Sequence, residues 1–152
     1  MTSNPDHVHL HRRLTDSLYV EAMLLADEAR DYFDEVGRTE REALDPLMRV
    51  GFSCESLKVT TRLMHVIAWL LTQRALQTGE IEPREAMHPS RRLGDAPVSD
   101  SDMVTSLPHR ARGLIGSSEG LHRRVARLDL AQDGVAPPSP ARSMQERLAL
   151  SF

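Results

Sequence analysis

The spacing Glu-x-x-His occurs twice in this sequence of 152 residues, as Glu85-x-x-His88 and as Glu119-x-x-His122. On a helix this spacing aims a carboxylate and an imidazole in one direction, and helical-bundle diiron sites use such pairs. The first copy lies between two prolines, outside any long helix, and only three long helices are predicted. We therefore interpret both motifs as surface ion-pairing groups and predict no metal site.

Other residues with reactive side chains lack the neighbours that chemistry requires. His7, His9 and His11 alternate in a stretch with almost no apolar residues, so nothing pre-organises them around a metal. Cys54 is the single cysteine, which excludes internal disulfides and thiol-ligated clusters. No base falls beside Cys54 at helical spacing, so we predict a small buried side chain. With no phosphate-binding loop and no nucleophile elbow, we predict no enzymatic activity and no cofactor.

The composition is that of one ordinary globular domain. The chain has 40% apolar and 27% charged residues and a formal net charge of −3. No apolar run is long enough to cross a membrane, and the first 14 residues lack the apolar core of a signal peptide. We expect a cytoplasmic protein that does not bind membranes.

Apolar residues recur at spacings of three and four, which predicts an all-α protein: an antiparallel three-helix bundle with one long central helix. Gly37 is expected to stop the first helix. The bundle spans residues 15–132 between two flexible segments. The predicted segments are a His-rich arm at 1–14, helices at about 15–36, 46–78 and 107–132, a long polar loop at 79–106, and a Pro-rich linker with a flexible tail at 133–152.

The central helix carries the strongest pattern. Asp45 is a good N-cap and Pro46 suits the first helical position. A continuous row, here called the heptad seam, comprises Leu47, Val50, Cys54, Leu57, Thr61, Met64, Ala68, Leu71 and Ala75. Beside it runs a second stripe, which comprises Met48, Phe52, Val59, Leu63, Val66 and Leu70.

Because the helix is apolar on more than one side, three helices leave one flank of it uncovered. We predict that this flank is an exposed apolar patch through which the chain forms a homodimer. The predicted interface residues are Leu63, Val66, Trp69 and Leu70.

Two features of the third helix leave their interpretation open. Gly113, Gly116 and Gly120 share one face of the helix. One interpretation is that the missing side chains let another helix approach closely, and the other is that the helix is frayed or kinked there. The region 108–128 has a charge balance of +4 whereas 16–45 has −7. The alternative function is a DNA-binding transcriptional regulator, but we favour the interpretation in which the arginines face the acidic first helix or water, and we expect no nucleic-acid partner. These arginines are Arg110, Arg112, Arg123, Arg124 and Arg127.

The C-terminal segment has more apolar character than a solvating tail needs. Ser143 and Glu146 have capping-box spacing, which favours a short helix. We predict a partner-binding peptide, the alternative being an exposed end with chance apolar residues. Its predicted contact residues are Met144, Leu148, Leu150 and Phe152.

Several segments resemble the RcdA family of alphaproteobacteria. The likeness covers about residues 15–132 and includes the end of the last helix, Leu121-His-Arg-Arg-Val-Ala-Arg-Leu-Asp129. The other similar segments are Ser17–Met23, Glu28–Asp34, Glu55–Met64 and Ala68–Arg74.

The resemblance implies a non-enzymatic, three-helix homodimer with a flexible C-terminal segment. It further implies an adaptor in regulated proteolysis by the ClpXP protease. Such an adaptor would tether substrates such as a CtrA-like cell-cycle response regulator. Its implied partners are a CpdR-like adaptor and a cyclic-di-GMP-binding adaptor.

Overall fold

The computed structural model describes residues 5–133 and 147–151, and all regular structure in these ranges is helical, as predicted. Three long helices form the bundle, and shorter ones lie in the connections. They are α1 (Pro5–Asp34), α2 (Val36–Glu42), α3 (Pro46–Gln77), α4 (Pro83–Ala86), a 3-10 turn (Pro89–Arg91), α5 (Ser101–Thr105) and α6 (His109–Gln132). None of the helices in the described ranges is long and apolar enough to span a membrane.

The first ten described residues are not the loose arm that the sequence predicted, because α1 begins at Pro5 rather than at Thr15. Pro5 suits the first helical turn and Asp6 places a negative charge there. Once Thr15 is buried against α3, extending the same helix backwards costs less than nucleating a new one. Arg12 Nη2 also donates to the carbonyl of Gln77 at 3.4 Å.

The sequence predicted that Gly37 ends the first helix. In the structure α1 ends at Asp34, and Gly37 lies buried within α2. A Cβ atom at this position would lie 2.7 Å from the carbonyl oxygen of Tyr32. Glycine is required here because the backbone of α2 folds back closely on the end of α1.

The start of α3 follows the local sequence signals. The carboxylate of Asp45 accepts a hydrogen bond from the backbone N–H of Met48 at 2.9 Å, and Pro46 occupies the first turn. The helix ends at Gln77, one residue before the predicted end.

Helix α1 runs antiparallel to α3. Phe33, near the end of α1, packs edge-to-face on Phe52 near the start of α3. At the other end Gln77 donates to the hydroxyl of Thr15 at 2.9 Å.

Helix α6, in contrast, runs parallel to α3, which corrects the fully antiparallel arrangement that the sequence suggested. Arg62 contacts Ser118, and Trp69, seven residues further along α3, contacts Asp129 further along α6. The physical reason is the long connection between the two helices. It travels back along the whole of α3 before α6 begins.

Candidate interaction surface

The four residues predicted to form the dimer interface lie instead in the core of the single chain. Leu63, Val66, Trp69 and Leu70 are each at most 4% exposed. The indole of Trp69 also donates a hydrogen bond to Asp129 of α6 at 2.8 Å. The prediction that these side chains form an exposed patch is therefore wrong, because α1 and α6 already cover the second stripe.

The heptad seam, not the second stripe, faces solvent. Its large side chains are between 47% and 73% exposed, and Cys54, which we expected to be buried, is exposed as well. These large side chains are Leu47, Val50, Leu57, Met64 and Leu71. The longest apolar row of the sequence is thus left without a partner among the described residues of this chain.

The sequence pointed to the wrong face because the buried face of α3 is rich in polar residues. Glu55, Arg62 and Gln73 are at most 2% exposed although their types are typical of surfaces. Buried polar groups must be hydrogen-bonded, and the partners come from distant segments that no local pattern reveals.

Glu55 is held by the connection between α3 and α6. Its carboxylate accepts hydrogen bonds from the Ser99 hydroxyl at 2.6 Å and the Asp100 backbone N–H at 3.1 Å. Lys58 forms an ion pair with it at 3.0 Å. Burial alone would raise the pKa of Glu55, but these donors outweigh it, so the pKa is lowered from its ordinary value.

Arg62 is the second anchor of the same segment. Its Nη2 atom donates to the carbonyl of Pro97 at 2.9 Å and to Ser99 Oγ at 2.7 Å, while Nη1 reaches Ser118. Burial lowers the pKa of the Arg62 guanidinium, and the negative charges of Glu119 and Glu55 offset only part of this effect. Within the described residues its Nε atom has no hydrogen-bond partner.

Histidines fasten the middle of this connection. His65 Nδ1 lies 3.0 Å from the carbonyl oxygen of Asp95, and His122 Nε2 lies 2.8 Å from that of Gly94. The second Glu-x-x-His motif therefore serves packing through His122. No group of three or more potential metal ligands occurs among the residues that the structure describes.

Arg92 joins the connection to the end of α6. Its Nε donates to the carboxylate of Asp129, and its Nη atoms donate to that of Asp133. These bonds lower the pKa of Asp133. The long polar loop thus forms a fixed rim along one side of α3, and α1 forms the rim on the other side.

A shallow groove between α1 and α3 continues the apolar surface beside the seam. Met23, Phe33 and Ile67 line it together with Met64 of the seam. Asp27 and Arg30, which pair at 3.2 Å, lie on the same wall. The exposed apolar surface is therefore a strip centred on α3 and edged by α1.

Two arginines of the basic helix α6 form contacts within the chain. Arg124 forms an ion pair with Glu21 of α1, and the guanidinium of Arg110 lies 4.9 Å from the ring centroid of Tyr32. The other three arginines predicted from the sequence, Arg112, Arg123 and Arg127, are exposed.

The glycines of α6 match neither of the two interpretations. The helix is continuous from His109 to Gln132, so they do not break it. A Cβ atom at Gly113 or at Gly116 would meet nothing within 4 Å. No other helix of the described chain approaches that face closely.

The predicted tail peptide is described only in part. Leu148 is 57% and Leu150 88% exposed, in a short helical segment. Met144 and Phe152, together with the Pro-rich linker at 134–146, lie outside the described residues.

A protein-family model and a solved structure are similar to this chain. Residues 7–152 match a family model described as "Protein of unknown function (DUF1465)". The structure is similar to the crystal structure of RcdA from Caulobacter crescentus CB15, with 34% sequence identity and a TM-score of 0.65. The similarity covers 78% of this chain and 90% of that one. No match was found among curated proteins.

Proposed function

Because the chain belongs to the RcdA family, the family of the DUF1465 model, we propose that it is a non-enzymatic adaptor in ClpXP-dependent proteolysis. The observation that carries this proposal is the 34% identity to RcdA across most of both chains. The proposal includes a cytoplasmic location, a homodimer, and delivery of substrates such as a CtrA-like response regulator. Its partners are a CpdR-like adaptor and a cyclic-di-GMP-binding adaptor.

An adaptor accelerates degradation by tethering, which raises the effective concentration of cargo at the protease without any covalent step. It therefore needs at least two binding surfaces that can be occupied together. The apolar strip on α3 is one candidate. The tail with Met144, Leu148, Leu150 and Phe152 is the other, since Leu148 and Leu150 expose most of their surface.

A reconstituted degradation assay tests the proposal. It contains ClpXP, a CpdR-like adaptor and a CtrA-like cargo, and it measures cargo lifetime with and without this protein. We expect the protein to shorten cargo lifetime. An unchanged lifetime with this cargo and with cargo carried by the cyclic-di-GMP-binding adaptor would contradict the adaptor role.

The role of the tail is tested in the same assay by changing Leu148 and Leu150 together to Ser. The matched control is Leu130→Ser, because Leu130 on α6 is also 57% exposed. We expect the tail variant to lose delivery with unchanged circular dichroism, and the control to deliver normally. Normal delivery by the tail variant would exclude these two leucines as a binding element.

DNA binding through α6 has less support, because Arg110 and Arg124 are already engaged within the chain. A role in DNA binding would require Arg112, Arg123 and Arg127 to contact phosphates, and affinity would then fall steeply with salt. A gel shift at low salt distinguishes this alternative from the adaptor.

A further inference from the structure

Two histidines near the start of α1 continue the row of side chains that packs this helix onto the bundle. His7, His11 and Thr15 follow one another at spacings of four residues, and Leu18 continues the row three residues later. Thr15 and Leu18 are buried, His11 is half-buried and His7 is exposed. We infer that His7 and His11 bind a late first-row divalent metal ion, of the class of Cu²⁺, Ni²⁺ and Zn²⁺.

The helix supplies the pre-organisation that the sequence alone did not predict. Because α1 begins at Pro5, both histidines lie within regular helix. Residues four apart lie on the same face of a helix, with Cβ atoms about 5–6 Å apart. Paired histidines at this spacing on a helix bind zinc in metalloproteases. His9 is two residues from each of them and therefore lies on the opposite side of the helix.

Contacts with α3 hold the turn that carries His11. Gln77, at the end of α3, donates to the hydroxyl of Thr15 at 2.9 Å, and this hydroxyl donates to the carbonyl of His11 at 3.1 Å. Arg12 Nη2 donates to the carbonyl of Gln77 at 3.4 Å. One of the two ligands is thus fixed to the bundle, and a metal ion would need to order only the turn before it.

The imidazoles of the pair are free to coordinate. Because α1 and α3 are antiparallel and Thr15 lies beside Gln77, the turns before Thr15 extend past the last turn of α3. Within the described chain the side chains of His7 and His11 have no hydrogen-bond partner. In contrast, His65 and His122 each bond to a backbone carbonyl.

The donor set selects the class of metal. Neutral imidazole suits Cu²⁺, Ni²⁺ and Zn²⁺, whereas Mg²⁺ and Ca²⁺ prefer oxygen ligands. Among these ions Cu²⁺ should bind most tightly. Hydrolytic zinc sites on helices have a glutamate directly after the first histidine as general base, but Val8 follows His7. The pair therefore binds metal without the base that hydrolysis needs.

The local charges do not by themselves attract a cation. Arg12 and Arg13 follow His11, and the N-terminal end of a helix carries a partial positive charge. Asp6, in the first turn, offsets part of this field. The affinity must come from chelation, because the second imidazole binds at the high effective concentration set by the first. Loss of either histidine should therefore remove most of it.

Titration calorimetry of CuCl₂ into the full chain, prepared without a purification tag, tests the site. We expect saturation at one Cu²⁺ per chain and weaker binding of Zn²⁺. His7→Ala and His11→Ala should each weaken Cu²⁺ binding by about tenfold or more. His9→Ala is the matched control from the same segment and should bind as the wild type does. Circular dichroism should be unchanged in all three variants.

Two further measurements test whether the helix arranges the ligands. Electron paramagnetic resonance of the Cu²⁺ complex should show two imidazole nitrogens for the wild type and one for His7→Ala. Leu10→Pro keeps all three histidines but interrupts the helix between His7 and His11. It should weaken binding as much as the loss of a histidine does. The control Leu10→Ala changes a side chain that is 63% exposed and should bind normally.

The possible outcomes are distinct. A wild type without saturable Cu²⁺ binding would overturn the site. Equal weakening by all three histidine variants, or full affinity in Leu10→Pro, would indicate an adventitious ion only, bound by a histidine-rich segment without helical order. The inference goes beyond the proposed function, and no protease or cargo enters its test. Its failure would therefore leave the adaptor proposal unchanged.

Discussion

The indole Nε1 of Trp69 donates a hydrogen bond at 2.8 Å to the Oδ1 atom of Asp129. The same oxygen accepts a second hydrogen bond, from Arg92 Nε, also at 2.8 Å. One carboxylate therefore ties α3, α6 and the connection between them at a single point. It also explains why Trp69, an obvious candidate for an interface, lies inside the chain.

Trp69→Phe should lower the free energy of unfolding by about 1–3 kcal/mol, because it removes packed volume and leaves Asp129 with fewer donors. The oligomeric mass should not change. Urea denaturation and light scattering measure the two quantities. A variant of normal stability with a smaller oligomeric mass would place Trp69 in an interface between copies of the chain.

Ser99→Ala should destabilise the fold by about 1–3 kcal/mol. The hydroxyl of Ser99 donates to Glu55 and accepts from Arg62, so its removal leaves both buried charges short of a partner. The exposed Ser117→Ala on α6 is the control and should change stability by less than about 0.5 kcal/mol. Equal midpoints in denaturant would show that the connection is not anchored at Ser99.

Glu55 should make stability depend on pH in the acid range. Its pKa is lower in the folded chain than in the unfolded one. The unfolded state therefore binds the proton first. This stabilisation is complete above the ordinary carboxyl pKa, and it is lost as the pH falls through the lower folded value.

Unfolding measured at a series of pH values should consequently show a shallower acid slope for Glu55→Gln than for the wild type. Ser99→Ala, which removes one of the donors that lower the pKa, should give an intermediate slope. Identical slopes for all three proteins would assign the acid dependence to other groups.

Gly113→Ala and Gly116→Ala should each raise the free energy of unfolding by up to about 1 kcal/mol, since alanine favours the helix and the added methyl group meets open space. Thermal unfolding measures the gain. If either variant lost stability, or if its oligomeric mass changed, this face of α6 would be in contact with another molecule in solution.

Gly37→Ala should lower the free energy of unfolding, although it also places alanine in a helix. Its Cβ atom would lie 2.7 Å from a backbone oxygen of Tyr32, which cannot move independently of α1. Comparison with Gly113→Ala separates this clash from helix propensity. A stabilised Gly37→Ala protein would mean that α2 does not pack against α1 as described.

The sequence alone determined the all-helical fold and the span of the central helix within one residue of its end. The reason is that these features are local: the Asp45 cap, Pro46 in the first turn and the three–four apolar spacing act within a few residues. The predicted start of α1 was ten residues too late. The residues before Thr15 are mostly polar, and they are helical because the packing at Thr15 supports them.

Which face of α3 is buried was decided by the tertiary structure. The helix has two apolar stripes of similar strength, and the face that is buried also carries Glu55, Arg62 and Gln73. These residues are tolerable inside only because a connection that runs back along α3, and an α6 parallel to it, bring Ser99, Ser118 and Gln132 to meet them. Such partners lie tens of residues away in the chain, so no periodicity of the sequence can reveal them. Because they stabilise the polar residues of this face inside the chain, this face is buried and the heptad seam is exposed.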